Sequence, residues 1–361
     1  MMRVMYLAME RELLVVHLEY QQNGNLNVKR QLIGMQPTCV ATDPQHPERV
    51  YVGTFGRGLW RSVDAGQSWQ PVGDAGVAMG PYMGDGITHP QITSVAVSPT
   101  ERTGDYGVVY AGTEPSAMFR SEDGGDTWRE LKTLRELPSA PTWSFPPRPY
   151  TSHVRWIMPD PLVPGRLFAA IEAGALICSL DGGQSWQDHV IDGPFDTHTL
   201  RMHPQAPDRL YSAAGDGFRT PGRGYNESHD GGQSWQRPDD GLHHHYLWSV
   251  AIDPVEPDTI LVSASPSPNK AHHDALHAES AIYRKQRGEP WQQVTEGLPA
   301  EHGMIVPVLA SNPAESGVFY TLTNKGCYRS ADTGYTWEHL AIPWRDEYMQ
   351  QHQQALVATE V

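Results

Sequence analysis

The stretch Ser179 to Trp186, SLDGGQSW, puts an acid into a glycine-rich loop and so has the look of a catalytic or metal-binding site. It is not alone in the chain. SVDAGQSW ends at Trp69, SEDGGDTW at Trp128, SHDGGQSW at Trp235 and SADTGYTW at Trp337, which makes five copies of Ser-x-Asp-x-Gly-x-Ser/Thr-Trp. Their spacing is roughly 50 residues, or about twice that across the last gap, the signature of a repeat architecture. YRKQRGEPWQQV, with Trp291 in the expected place, fits that gap as a degenerate copy without the aspartate. Five equivalent active sites on one chain would be hard to explain. Asp64, Asp123, Asp181, Asp230 and Asp332 are therefore expected to be structural, each accepting hydrogen bonds from the amides of a turn whose glycines supply positive φ.

The same grammar precedes each box. A short apolar segment ends in proline at Pro44, Pro99, Pro161, Pro204, Pro254 and Pro313, followed by a second apolar run (RVYVG, VVYAG, RLFAA, RLYSA, TILVS, VFYTL). A third run precedes most boxes and a fourth follows the tryptophan. Four short strands per repeat, punctuated by Gly, Pro and Asp, describe one blade of a β-propeller. The N-terminal segment supplies a second strand, a third, an Asn23-Gly24 hairpin turn and a fourth but no first strand, whereas QALVATE at 354–360 reads as a first strand with nothing after it. The reading is all-β: a single seven-bladed propeller closed by strands from both ends. The blades are expected at 1–34 with 354–360, 35–75, 87–134, 150–191, 195–239, 244–296 and 303–342.

Composition narrows the function. With 27 Lys+Arg against 42 Asp+Glu the formal charge is −15, and no basic segment stands out, which disfavours nucleic acid and anionic membranes as partners. Cys39, Cys178 and Cys327 are odd in number and fall inside predicted strands, where burial as small apolar residues is expected rather than disulfides. Charges at Arg3, Glu10, Arg11 and Glu12 interrupt the N-terminal apolar pattern, and no segment is long enough to span a bilayer, so a cytoplasmic location is expected.

The boxes resemble the Asp-box, or BNR, repeat shared by sialidase-like propellers, sortilin-type propellers, some xyloglucan-active glycosidases and photosystem II stability-factor-like proteins. That resemblance implies the fold strongly and the activity weakly. Sialidases of this architecture carry Arg-Ile-Pro near the N-terminus, but here Arg3 is followed by Val-Met, which disfavours sialidase activity. Xyloglucan-type relatives place substrate between two propellers, and one is present.

Propeller function usually gathers at one end of the central channel. Counting back from the proline that ends each first strand, Thr38, Thr93, Arg155, His198, Trp248 and Pro307 stand six residues before it, and Gln36, Gln91, His153, Asp196, Tyr246 and Ile305 eight before it. A regular strand would put both rows on one face, expected to be that of the channel. Loops at the same end add Arg57, Glu114, Glu172, the segment with Asp216, Arg219, Arg223 and Tyr225, and the histidine-rich run with His272, His273, Asp274 and His277. The proline-rich insert LPSAPTWSFPPRPYTSH, carrying Trp143, is a candidate lid or aromatic wall.

The candidate catalytic groups are His153, His198, Glu114 and Glu172, and the candidate substrate contacts are Arg57, Arg155, Arg223, Tyr225, Trp143 and Trp248. Imidazole with carboxylate suits zinc or a divalent transition metal, with His153, His198, His245 and His273 as candidate ligands. No HExxH, GxSxG or Walker motif is present. The leading expectation is an intracellular hydrolase or lyase acting on a small polar or anionic molecule at the channel mouth. The alternatives are a non-catalytic protein-binding or assembly factor of the photosystem II stability-factor type, and a glycoside hydrolase, which would need two carboxylates about 5 to 10 Å apart.

Overall fold

The computed structural model describes residues 2–20, 24–73, 86–273 and 275–361; Asn23 of the expected hairpin turn and Asp274 lie outside these. The described chain forms seven antiparallel sheets arranged as propeller blades. The innermost strands are Ala355–Glu360, Pro37–Asp43, Gln91–Thr103, Val154–Pro159, Thr197–His203, Tyr246–Ile252 and Val308–Ser311, for blades 1 to 7. In blades 4 and 5 the fourth strand shrinks to a single bridge each, Cys178 with Gln187 and Glu227 with Gln236.

Ala355–Glu360 pairs with Arg3–Ala8 from Arg3 opposite Glu360 to Ala8 opposite Ala355, so the two ends of the chain complete blade 1. Period two explains why RVMYLA shows no polar alternation. Val4, Tyr6 and Ala8 pack against Val50 and Val52 of blade 2, while Met5 and Leu7 pack against Val308 and Tyr320 of blade 7. Every blade is sandwiched this way, and both faces of a strand therefore read as apolar.

Each position of the box has a task. Asp181 Oδ1 accepts from the Ser185 amide at 2.8 Å and from Ser179 Oγ at 2.9 Å, and Oδ2 accepts from Ser185 Oγ at 2.6 Å. Ser179 Oγ in turn accepts from the Gly183 amide at 2.8 Å, and Gly182 and Gly183 sit at φ 70° and 84°, where a side chain would be strained. Asp64, Asp123, Asp230 and Asp332 make the same contacts to Ser68, Thr127, Ser234 and Thr336. The boxes are turn staples. Asp181→Ala is expected to cost about 1 kcal/mol, since these exposed hydrogen bonds compete with water, and to leave ligand binding at the channel mouth unchanged. A denaturation series showing a loss above about 3 kcal/mol, or lost binding, would contradict this role.

Candidate functional site

The innermost strands are not regular. The ladder to the second strand skips one residue between Pro37 and Cys39, Ile92 and Ser94, Val154 and Trp156, Thr197 and Thr199, and Leu247 and Ser249. The extra residue at each β-bulge is Thr38, Thr93, Arg155, His198 or Trp248, the row six before the proline. A bulge inverts the side-chain parity of the strand. Val154 and Ile157 thus both face blade 3, while Trp156 and Met158 face blade 5. The shared face expected of a regular strand is replaced by a kink that turns Arg155 and its equivalents toward the axis.

The bulges also link blades around the channel. Thr38 Oγ1 donates to the Ile92 carbonyl of blade 3 at 2.6 Å, Thr93 Oγ1 to the Val154 carbonyl of blade 4 at 2.8 Å, and His198 Nδ1 to the Leu247 carbonyl of blade 6 at 2.6 Å. Arg155 and Trp248 make no such link among the described residues. Instead, the Arg155 guanidinium stacks 4.4 Å from the Trp248 ring.

Above this ring opens a cavity of about 480 Å³ lined by Glu114, His153, Arg155, Glu172, Asp196, Tyr246, Trp248, His272 and His352, with Phe145 and Arg148 of the insert on its rim. Its carboxylates come from equivalent places: Glu114 ends the second strand of blade 3, and Glu172 directly follows that of blade 4. Glu114 is held by both ends of the Arg148 fork, at 2.7 and 2.6 Å. Glu172 Oε2 meets His153 Nε2 at 2.8 Å and Arg155 Nε at 3.5 Å, and its Oε1 lies 3.9 Å from His198 Nε2. Asp196 Oδ1 takes the Ala173 amide at 2.9 Å and lies 3.7 Å from His198 Nε2.

These environments drive the two acids apart. Burial alone would raise Glu172, but the charge and hydrogen bond of His153, with His198 and Arg155 beyond, hold its carboxyl well below the usual range. Asp196 goes the other way: burial, with the charges of Glu172 and Asp216 nearby, outweighs the pull of His198 and raises it. One carboxyl is held well below its usual range beside another held above it.

The opposite wall is a directed chain of hydrogen bonds. His352 Nδ1 lies 2.9 Å from the Gln353 carbonyl and 3.3 Å from Gln354 Nε2, and donating to the nearer carbonyl places its hydrogen on that nitrogen. His352 Nε2 then accepts from His272 Nδ1 at 2.6 Å, and His272 Nε2 accepts from the Tyr246 hydroxyl at 2.8 Å. Burial keeps both rings neutral, pushing His352 down to about 4 and His272 well below its usual value.

Glu172, Asp196 and His198 each offer one donor atom, and those atoms lie within 4.8 Å of one another. The set suits zinc or a divalent transition ion. Because its Nδ1 donates to the Leu247 carbonyl, a neutral His198 has its lone pair at Nε2 toward the two acids, the arrangement that second-shell bonds impose on metal-binding histidines. His153 Nε2 is committed to Glu172.

The remaining sequence candidates lie elsewhere. Trp143 is packed into the core between blades 3 and 4, with Nε1 donating to Ser139 Oγ at 3.0 Å. Tyr225 is buried between blades 5 and 6, its hydroxyl on Glu227 at 2.9 Å. Arg223 pairs with Asp192, and Arg57 is an exposed loop residue outside the cavity lining. His245 presents its carbonyl to Gly217 and Gly224, and His273 is exposed; neither joins His153 and His198. His198 is fully buried behind the wall formed by Glu172 and Asp196. Sequence reasoning missed Arg148, and it missed His352 and Gln354, the cavity-lining pair contributed by the residues just before the closing strand.

No family model matches the chain, and no curated protein matches its sequence. Solved structures do share its fold. It is similar to an ancestral GH74 enzyme (TM-score 0.60, 17% identity, covering 90% of this chain and 38% of that one) and to the GH74 enzyme of Niastella koreensis (0.62, 14%, 93% and 54%). The chain thus spans 38% and 54% of the lengths of those two enzymes. It is also similar to YCF48 bound to D1 peptide (0.54, 17%, 85% and 81%). At these identities the likeness shows the β-propeller fold.

Proposed function

We propose that the protein is a hydrolase or lyase that takes a small polar molecule into the cavity at the channel mouth and cleaves a C–O bond with acid assistance. The observation that carries this reading is the divergence of Glu172 and Asp196. Neighbouring carboxyl groups pushed apart in this way are the usual means by which one site holds an acid and an ionised carboxylate together. Asp196 supplies the proton to the leaving oxygen, and the ionised Glu172 stabilises or attacks the electron-poor centre. His153 is a positioning residue that fixes Glu172 through its Nε2, and His198, tied to the Leu247 carbonyl, stands behind the two acids. An ion held by Glu172, Asp196 and His198 would require Asp196 ionised and would supply Lewis acidity at that oxygen in place of its proton.

The test is turnover of alkyl glycosides and alkyl carboxylate esters by the purified chain, substrates whose leaving oxygen needs a proton as its C–O bond breaks. One class should be cleaved, at a rate that falls as pH rises through the raised Asp196 value, and Asp196→Asn should lose at least about 100-fold. Undiminished turnover in Asp196→Asn would sink the assignment.

A second reading, a docking surface for a protein partner at the rim, is favoured by the likeness to a propeller solved with a peptide and by Tyr150, which stands exposed on the insert. Peptide binding that survives Glu172→Gln and is lost on shortening the insert would favour it over the enzyme.

A further inference from the structure

Below the bulge ring the channel widens into a second cavity of about 380 Å³, walled by the innermost strands. Thr38, Thr93, Arg155, Trp248 and Gln354 line both spaces, as the floor of the upper and the ceiling of the lower. The lower cavity is electrostatically lopsided. Among the described residues its wall carries two cations, Arg155 and Arg201, and no carboxylate.

Arg155 is already neutralised by Glu172 above it. Arg201 has no such partner. It lies over the Trp156 ring, 4.8 Å from the centroid, and its one hydrogen bond is a long 3.4 Å contact from Nε to the Val250 carbonyl. No described carboxylate comes within ion-pair distance of its guanidinium. Other part-buried arginines of the propeller are matched: Arg102, on the innermost strand of blade 3, by Asp43 at 2.9 Å, Arg166 by Asp160 and Asp208, both at 2.5 Å, and Arg209 by Asp258 and Glu227. Arg201 lines the channel half-buried, and burial with nothing to offset it lowers its pKa to about 10.

A guanidinium carries five N–H donors and stays charged in proteins, and an isolated buried charge is costly unless a counter-charge meets it. The rest of the wall is mostly apolar, including Val40, Val95, Val97, Ile157 and Leu356. One cation in an apolar chamber defines its ligand. We propose that the central channel is a second binding site, for a small carboxylic acid with an apolar body, whose carboxylate pairs with Arg201 while its body fills the apolar chamber below Trp248. This site is separate from the acids of the channel mouth and does not depend on their reactivity.

The probes are benzoate, its neutral analogue benzyl alcohol, and bromide. Calorimetric titration is expected to show saturable benzoate binding to the full chain and none of benzyl alcohol. Arg201→Gln should weaken benzoate by about 10-fold to 100-fold, as the loss of a hydrogen-bonded charge partner does. Crystals soaked in bromide should show an anomalous peak beside the Arg201 guanidinium. In anion-free buffer Arg201→Gln should melt no lower than the parent, because the change removes an unmatched charge. Equal benzoate affinity in Arg201→Gln, equal affinity for benzyl alcohol, or no bromide at Arg201 would each overturn the proposal. So would an anion-independent fall in the melting temperature of the variant, which would mark Arg201 as a structural cation.

Discussion

Glu172→Ala is expected to remove about 3 kcal/mol or more of stability at neutral pH, because it leaves the Arg155 guanidinium without its carboxylate and His153 Nε2 without its hydrogen-bond partner. Glu172 is only 8% exposed, so water does little to replace it. Its sign with pH is fixed by the direction of its shift. A carboxyl whose folded value lies below its unfolded one contributes fully above the unfolded value, near 4.5, and loses that contribution as pH falls toward the folded value. Parent and variant stabilities should therefore differ most at pH 7 and converge on acidification from about pH 5 downward. The aspartates of the boxes are also held below their usual range by their turn hydrogen bonds and weaken in acid, but they are common to both proteins and cancel in the difference. Denaturant titrations of the pair at pH 7 and pH 3 measure it; a gap that persists or widens in acid would show that Glu172 is not the ionised partner.

Removing residues 355–361 should be as damaging. Leu356 and Ala358 pack between blades 7 and 1, and Ala355 and Val357 between blades 1 and 2. A fully buried leucine is worth about 1.5–3 kcal/mol and a buried methyl about 0.8 kcal/mol, which with the half-buried Val357 puts the loss at about 4–5 kcal/mol before any hydrogen bonds are counted. The ladder from Arg3 to Ala8 would also become a free edge, a template for pairing with another chain. The truncated protein should melt about 5 °C or more lower or associate, given such losses, and a peptide spanning 354–361 added in trans should restore much of the difference. Melting within a few degrees of the parent would mean that the ring does not depend on closure by both ends.

The repeats made the fold readable because each box residue serves its own turn. Serine, aspartate, glycine and tryptophan recur in five of the seven blades where a third strand hands over to a fourth, so spacing located the blades. The mouth of the channel was readable where a proline set the register: Thr38, Thr93, Arg155, His198 and Trp248 fall at one distance from it because a bulge recurs at that distance. The closing strand ends in ALVATE without a proline, so nothing in the sequence set the register that brings His352 and Gln354 into the cavity. Loop length said where polar residues could go but not which way they turn. Trp143 and Tyr225 could be drawn into the core because Ser139 and Glu227 satisfy their polar tips. Arg148 reaches Glu114 across an insert with no periodicity to count along.

The hydrogen-bonded hoop of bulges bears on how such a scaffold could acquire chemistry. Where a threonine or a histidine occupies the bulge, its side chain is spent on the neighbouring blade, as at Thr38, Thr93 and His198. Where arginine or tryptophan occupies it, the link is given up and a large side chain is released into the axis. Blades of this kind are equivalent in backbone yet free to differ in one residue each, so a single codon change in a symmetric ring is enough to break the symmetry where a ligand can be met.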